Sequence, residues 1–395
     1  MPHPALSAFV RFSFLYAFLY AGFGGQSPFL PALFQAHGLV ADEIGLIVAL
    51  GTLIRMVSGF LVNRIADRFD AARFALAFCA AGSAAVALFY LPARGFWTLL
   101  AVAMLQAVLL APLTTLADAL ALGAAAPPRD AGARAFEYGW VRGTGSAAFI
   151  AGLVLSGQAV AALGLDVIVW LNVALLAGAA ATALAVATPP KAVRGPSPIP
   201  HRVWDLLRLE RFRQIVLVAA LVLGSHAMHD SFAVIRWQAA GMSSGTAGLI
   251  WSESVSAEVV VFFLVGPSLV DRLGPSRALA LSAAAGTLRW AVMALTAAPA
   301  AMALIEPLHG LTFALLHLAC MRVIAHIVPP ELAATAQAIY GTVAVGLATA
   351  ALTYASGVLY GRVGASGFWF MAVMCAAALP IALWSGVAKN PDQQA

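Results

Sequence analysis

The chain has 395 residues, 62% hydrophobic and 10% charged, with a net charge of +5 and a mean hydropathy of +0.91. Soluble domains carry about 25% charged residues, so a water-soluble globule is excluded. The basic residues are spread along short connections rather than gathered, which excludes a nucleic-acid surface, and Cys79, Cys320 and Cys375 have neither metal nor redox spacing and read as small core residues.

Apolar runs of 18 to 26 residues are long enough to cross about 30 Å of hydrocarbon as helices. The short alternating strands of about 10 residues that mark a barrel are absent. In chain order the runs predict twelve spanning helices: 8–34, 43–62, 73–91, 96–122, 135–160 and 165–187, then 212–238, 246–269, 276–297, 300–327, 332–360 and 366–387. The first run lacks a small-residue cleavage site and is expected to be retained as a helix. Between the sixth and seventh runs lies TPPKAVRGPSPIPHRVWDLLRLERFRQ, proline-rich, then basic and amphipathic, the only long polar connection. It divides the chain into an N-terminal six-helix half (1–188), a cytoplasmic linker (189–211) and a C-terminal six-helix half (212–395).

Placing both termini and the linker on one side puts sixteen of the twenty-two Lys and Arg there. The other side receives Arg94, Arg236 and Arg362, and Arg55, Arg142 and Arg289 fall inside helices. By the positive-inside rule both termini are cytoplasmic. Arginine outnumbers lysine 20 to 2, which points to a GC-rich bacterial genome.

A repeat supports the two halves. ADRFDAAR (66–73) and VDRLGPSR (270–277) share Asp-Arg-x4-Arg, and Asp67 and Asp271, like Arg73 and Arg277, stand 204 residues apart. Each copy is expected in the cytoplasmic loop after the second helix of its half. There Asp67, Arg68 and Arg73, with Asp271, Arg272 and Arg277, act as gating loops that pair with helix ends and each other.

These two motifs resemble the signature of the major facilitator superfamily, whose members place twelve helices in two pseudo-symmetric halves around a central cavity. Three further regions are similar to a narrower group. GGQSPFLPALFQAHGLVADEIG resembles the first periplasmic junction of lactose permease and its relatives, and EYGWVRGTGSAAFIAG their fifth helix. WSESVSAEVVVFF, GTLRWAVMA and EPLHGLTFALLHLACMRVIA, followed by AQAIYGTVAVG, resemble the phenylpropionate permease branch. The implied fold class is an all-α integral membrane protein with the major facilitator fold.

Ionisable residues within the apolar runs are expensive and mark function by default. The acids are Asp118, Asp230, Glu253, Glu258 and Glu306, with Glu137 near a helix start. The C-terminal half adds His226, His229, His309, His317 and a mid-helix Arg289, whereas the N-terminal half has Arg55 and Arg142 with Asp118. Proton-exchanging groups gather in one half and permanent cations dominate the other. At about 100° per residue, Glu306, His309 and His317 fall within an arc of about 80° on one helix face, which must face protein or water rather than lipid. Arg322, nearer the cytoplasmic end, is expected to snorkel to the interface. Glu253 and Glu258 cannot point the same way, and Glu253 is expected to pair with Arg236 or to face periplasmic water. His226, His229 and Asp230 share a face at i, i+3 and i+4 and read as cavity lining or inter-helix bonding rather than a metal set.

By the same resemblance, His309 matches the tenth-helix histidine of the lactose permease group, Arg289 its ninth-helix arginine and Glu258 its eighth-helix glutamate. Where that group has a proton-carrying glutamate this chain has Thr312, which cannot carry a proton. Glu306, three residues before His309, is taken as the substitute, with Glu258 as rival. Arg142 matches the arginine that holds substrate, one turn after Tyr138 and flanked by Gly139, Gly143, Gly145 and Ser146, small residues that admit a neighbouring helix. Its planar fork of donors suits a carboxylate or vicinal hydroxyls, and Asp118 is its expected partner when the site is empty. Tyr16, Tyr20, Phe23, Trp140 and Trp251 are candidates to stack on a ring.

These readings describe a multi-pass secondary transporter of the bacterial inner membrane, working by alternating access at a site near the midplane between halves. No Walker-type phosphate loop is present, so ATP is not expected as energy source. The C-terminal cluster of Glu306, His309, Glu258 and Arg289 points to proton symport. The resemblance implies uptake of an aromatic carboxylate such as phenylpropionate, bound by Arg142, Asp118, Tyr138 and Trp251. A sugar or nucleoside stays open as the alternative substrate, and a non-transporting solute sensor as the alternative class. An enzyme is not expected, because no nucleophile with its base and no metal set is found. The expected partners are the substrate, protons and the lipid bilayer, with no cofactor, metal or nucleic acid, and the chain is expected to be a monomer.

Overall fold

Every regular element among the described residues (4–125, 136–186 and 203–384 of the computed structural model) is helical. That follows where lipid offers no partner to backbone N–H and C=O groups. The spanning helices are α1 (Pro4–Gln26), α2 (Ala41–Arg68), α3 (Ala72–Tyr90), α4 (Phe96–Ala125), α5 (Tyr138–Leu163), α6 (Val167–Ala185), α7 (Glu210–Ala239), α8 (Ser244–Leu273), α9 (Pro275–Leu295) and α10 (Pro299–Ile327). A final apolar stretch, Pro330–Trp384, is 55 residues long, about 80 Å at 1.5 Å per residue, too long for one crossing. It divides at Gly364, whose φ of 55° ends a helix at little cost for a residue without Cβ. A 3-10 turn, Gly364–Gly367, follows. The result is α11 (residues 330–363) and α12 (Phe368–Trp384), twelve spans among the described residues.

Two expectations need correction. The first run does not continue to residue 34: α1 stops at Gln26, and a separate short helix, Leu30–Ala36, follows. Pro28, which has no N–H to give, sits at the break. The repeated motifs are also not loops. Asp67 and Arg68 lie in the last turn of α2 and Arg73 in the first turn of α3, while Asp271 and Arg272 end α8 and Arg277 begins α9. Asp70 (φ 53°) and Gly274 (φ 74°) reverse the chain at matching positions, three residues after each motif Asp. The left-handed conformation required there favours Gly and tolerates Asp.

Among the basic residues expected on the cytoplasmic side, Arg129, Arg134, Lys191, Arg194, Arg202 and Lys389 lie outside the described residues, as does linker stretch 187–202. By its contacts the chain forms two compact units: Met1–Leu39 with Leu50–Arg194 and Ser243–Leu249, and Val40–Ala49 with Gly195–Met242 and Ile250–Ala395. In the first unit, α1 packs extensively on α5 and α6, burying Phe12, Leu15, Tyr16 and Leu19 completely. In the second, α9 packs on α12 and fully buries Trp290 and Met293.

Several helices of the second unit are irregular where their polar residues sit. α7 is interrupted at Ser225, immediately before His226. α8 widens into a π segment, Val261–Val265, just before Pro267. α10 carries a 3-10 turn at Glu306–Leu308, around Pro307, and then a π segment at Gly310–Leu315. Proline withdraws a donor from the ladder, and such irregular turns re-aim side chains at functional positions. α8 and α10 meet at Gly310, where a Cβ would lie 2.6 Å from the Ala257 carbonyl oxygen. Only glycine permits that approach, and it brings His309 beside Glu258.

Candidate transport site

The first unit holds a cluster on α1, α4 and α5. Tyr16 and Tyr20 on α1, and Tyr138 and Arg142 on α5, are each four residues apart and so share a face of their helix. The Tyr16 and Tyr20 rings stack at 5.6 Å. Gly145 makes room for them, since a Cβ there would come within 2.9 Å of Tyr20 and 3.2 Å of Tyr16. Gly139 and Gly143, expected to admit a neighbouring helix, face open space.

Asp118 Oδ1 accepts hydrogen bonds from the hydroxyls of Tyr16 and of Tyr138, the latter at 2.9 Å. It therefore does not pair with Arg142 as the sequence led us to expect. The Arg142 guanidinium instead lies over the Tyr20 ring, 4.6 Å from its centroid, a cation–π contact. One of its terminal nitrogens, Nη1, is buried without an acceptor. The two tyrosine hydroxyls occupy the acid, so the cation keeps donor capacity in reserve. Trp140 is 71% exposed and takes no part. Trp251 belongs to the second unit, buried against the His229 ring at 4.4 Å.

The second unit holds the titratable groups. Glu306 and Arg289 are both completely buried and form an ion pair through Glu306 Oε2 and Arg289 Nη2. His229 Nε2 lies 3.3 Å from the same oxygen, and its Nδ1 lies 3.1 Å from Asp230 Oδ1. Arg289 Nη1 donates to His309 Nδ1 at 3.1 Å, which leaves Nε2 of that ring to face Glu258 Oε2 at 3.4 Å. The cluster thus runs Asp230–His229–Glu306–Arg289–His309–Glu258, drawn from α7, α10, α9 and α8. Glu306 Oε1 and Arg289 Nε are buried without hydrogen-bond partners. Removing one member of a buried pair strands the other and costs about 3–5 kcal/mol, so Arg289 and Glu306 also fix the helices around them.

Thr312 is fully buried, and its hydroxyl lies 2.9 Å from His226 Nε2, while His226 Nδ1 faces the Val222 and Leu223 carbonyl oxygens at 3.0 and 3.1 Å. The threonine thus ties α10 to α7 rather than moving protons. Trp290 Nε1 donates to Ser225 Oγ at 2.7 Å, holding the interruption of α7 in place.

Other polar residues resolve differently from their sequence readings. His317 contacts the Tyr340 hydroxyl at 3.3 Å rather than Glu306 or His309. The single-face arc assumed a uniform helix, whereas the 3-10 and π turns of α10 change the rotation per residue. Glu253 is exposed and makes no ion pair among the described residues, while Arg236 lies over the Phe368 ring at 5.6 Å. Arg322 does not simply snorkel: its Nη2 donates to Asp271 Oδ1 at 2.5 Å, on the repeated motif. Arg73 and Arg11 reach the carbonyls of Val186 (3.5 Å) and Ala185 (2.9 Å) at the C-terminal end of α6, where the helix dipole favours cations. Arg68 lies over the Phe69 ring at 5.9 Å. Arg55 donates to Thr52 on its own helix at 3.3 Å. A cavity of about 400 Å³ bounded by Val62, Phe69, Phe74, Phe78, Val108 and Leu109 is almost wholly apolar and holds none of these groups.

Sequence reasoning underrated Tyr16, Tyr20 and His229. The i, i+4 spacing of Tyr16 and Tyr20 parallels that of Tyr138 and Arg142, and that parallel was the available signal. Nothing in the sequence aimed His229 at both Asp230 and Glu306.

Twelve spans with buried charged networks define a multi-pass membrane transporter of the major facilitator type, not an enzyme. A model of the MFS_1 like family matches residues 9–372, and the chain belongs to that family. It is 33% identical over 382 residues to a protein of Escherichia coli (strain K12) described as "Probable 3-phenylpropionic acid transporter", covering 93% of this chain and 94% of that one. Among solved structures it is similar to the nucleoside transporter NupG, with a TM-score of 0.83 at 15% identity, covering 97% of this chain and 99% of that chain. It is also similar to a bacterial homolog of the human lysosomal transporter Spinster, in an inward-facing and unoccupied conformation, with a TM-score of 0.72 at 15% identity over 99% and 100% of the two chains. At such identities these structures speak for the fold alone.

Proposed function

We propose that the protein is a proton symporter that takes up an aromatic carboxylate of the 3-phenylpropionate type. It works by alternating access, as a monomer in the bacterial inner membrane with both termini cytoplasmic, and residues 1–188 and 212–395 form its two halves. The observation that carries the substrate class is the uncommitted Nη1 of Arg142. A half-buried guanidinium with a buried, open donor is a seat for an anion, and a carboxylate engages such a fork through two parallel bonds. Asp118 would repel that anion; the two tyrosine hydroxyls temper its charge and hold it in place. The Tyr20 ring, already against Arg142, offers a face to an aromatic substrate. The relative's description as a 3-phenylpropionic acid transporter supports the same class.

Proton coupling rests on the charge count of the second unit. His229 has a carboxylate at each ring nitrogen, with Arg289 Nη2 also 3.3 Å from Nε2, and two carboxylates against one guanidinium favour the imidazolium. His309 accepts from Arg289 at Nδ1 and is satisfied as a neutral ring. Arg289 and His229 then supply two positive charges against the three carboxylates of Asp230, Glu258 and Glu306. One further proton neutralises the cluster, and a low-dielectric site favours neutrality. The Glu306 carboxyl, whose Oε1 has no hydrogen-bond partner, is a place for it.

The test is the external pH of weakly buffered proteoliposomes on addition of 3-phenylpropionate, then lactose, then uridine, beside an Arg142→Ala variant. Alkalinisation with 3-phenylpropionate alone, lost in the variant, is the expected result. A response to lactose or uridine instead would replace the carboxylate with a hydroxylated substrate. Substrate entry without any pH change would remove proton coupling.

A further inference from the structure

Glu306 is completely buried, so a proton stored there needs a route to water. Asp230 supplies a geometry for one. Its side chain is 55% accessible, yet it lies nine residues before the end of α7, about 13 Å into that span at 1.5 Å per residue. Glu306 lies seven residues into α10, about 10 Å in. The two depths are measured from the same membrane face, because α7 and α8 are joined there by a short turn, as are α9 and α10. An accessible carboxylate at that depth faces water, since lipid does not accommodate it. Between the accessible carboxylate and the buried one stands His229, itself 2% exposed, with Nδ1 3.1 Å from Asp230 and Nε2 3.3 Å from both Glu306 Oε2 and Arg289 Nη2. Its ring is clamped by Trp251 at 4.4 Å and Trp290 at 5.8 Å, which fixes which nitrogen meets which acid.

We propose that Asp230 is the portal through which Glu306 exchanges its proton with water, and that His229 carries the proton between them. At rest the ring is an imidazolium with hydrogen on both nitrogens, balanced by the carboxylates at either side. A proton from water binds Asp230 and cancels the charge that held the ring protonated. The Nε2 hydrogen then moves to Glu306 Oε2, so one N–H bond breaks and one O–H bond forms, with charge conserved. Release follows the same path backwards: Glu306 returns its proton to Nε2 and Asp230 gives one to water. Arg289 shares Oε2 of Glu306 and so positions the acceptor without carrying a proton. His309 and Glu258, on the far side of Arg289, tune the cluster and are not on this path.

This inference rests on the proton-coupling reading, and the test separates the two. The full-length protein is reconstituted as wild type, Asp230→Asn, Asp230→Glu and His229→Gln. Two rates are recorded with 3-phenylpropionate: substrate-driven alkalinisation, and counterflow of labelled substrate between equal pools, which needs no net proton movement. Loss of a positioned proton donor costs about a hundredfold in rate, so alkalinisation by Asp230→Asn is expected to fall by that order. Counterflow is expected to stay within about twofold, the pattern of a group outside substrate binding. Asp230→Glu restores alkalinisation, and His229→Gln behaves as Asp230→Asn. Wild-type alkalinisation in Asp230→Asn overturns the portal while leaving proton coupling intact. An equal fall of both rates, without rescue by Asp230→Glu, makes Asp230 structural and also overturns it. If the wild-type protein itself shows counterflow but no alkalinisation, the coupling reading and the portal fall together.

Discussion

The two units solve the problem of buried charge in opposite ways. In the first, one acid is held by two tyrosine hydroxyls and one arginine by a ring face, so no group there has to change its proton to be satisfied. In the second, three carboxylates, one guanidinium and two imidazoles touch one another in a continuous chain. A cluster of fixed cation and phenols suits a solute that arrives already charged. A cluster whose neutrality depends on one extra proton suits the coupling ion. Under the proposed function, that difference separates substrate binding from proton coupling.

The comparison breaks most severely at Arg289. Arg289→Leu leaves the fully buried Glu306 without its guanidinium partner, and the loss is expected to be about 3–5 kcal/mol, read as a lower unfolding temperature in detergent. Adding Glu306→Leu restores the unfolding temperature but not alkalinisation. If the single variant unfolds like wild type, the pair does not hold the unit together.

Arg142→Lys keeps the charge of the first cluster and removes the fork. The KM for 3-phenylpropionate is expected to rise about ten- to a hundredfold, with the unfolding temperature unchanged. An unaltered KM would mean that a point charge suffices and that the fork is not read.

Gly310→Ala adds a methyl group 2.6 Å from the Ala257 carbonyl oxygen and forces α8 and α10 apart. A cost of about 1–3 kcal/mol is expected from such overpacking, together with slower alkalinisation, because His309 and Glu258 separate. Gly145→Ala, against the Tyr20 ring, is the matching change in the first unit and is expected to weaken substrate uptake without slowing proton exchange.

The smallest effect is expected at Arg322→Gln. Its pair with Asp271 is half exposed on both sides, so less than about 1 kcal/mol of stability is at stake. A shift in the balance between cytoplasm-open and periplasm-open forms, followed by cysteine accessibility near the motif, would reveal any gating role beyond that.

How much of this was legible in advance depended on range along the chain. Apolar run length fixed the helices, because spanning 30 Å of hydrocarbon demands about 20 residues whatever their order. The 204-residue repeat placed Asp67 and Asp271 at matching helix ends, although it was read as loop because the turn residues Asp70 and Gly274 reverse the chain so tightly. Composition alone separated the permanent cations of one half from the acids and imidazoles of the other. Arg142, Arg289, His309 and Glu258 were identified by resemblance and stand in polar clusters. What tertiary structure decided was partnership and access. Asp118 met tyrosines rather than Arg142, because its neighbours come from α1 and α5, 102 and 20 residues away. Glu306 became the sealed member and Asp230 the open one, because an interrupted α7 and the 3-10 and π turns of α10 aim side chains where ideal periodicity does not. A sequence determines which charges must be sheltered from lipid; only packing determines which neighbour shelters each and which is left facing water.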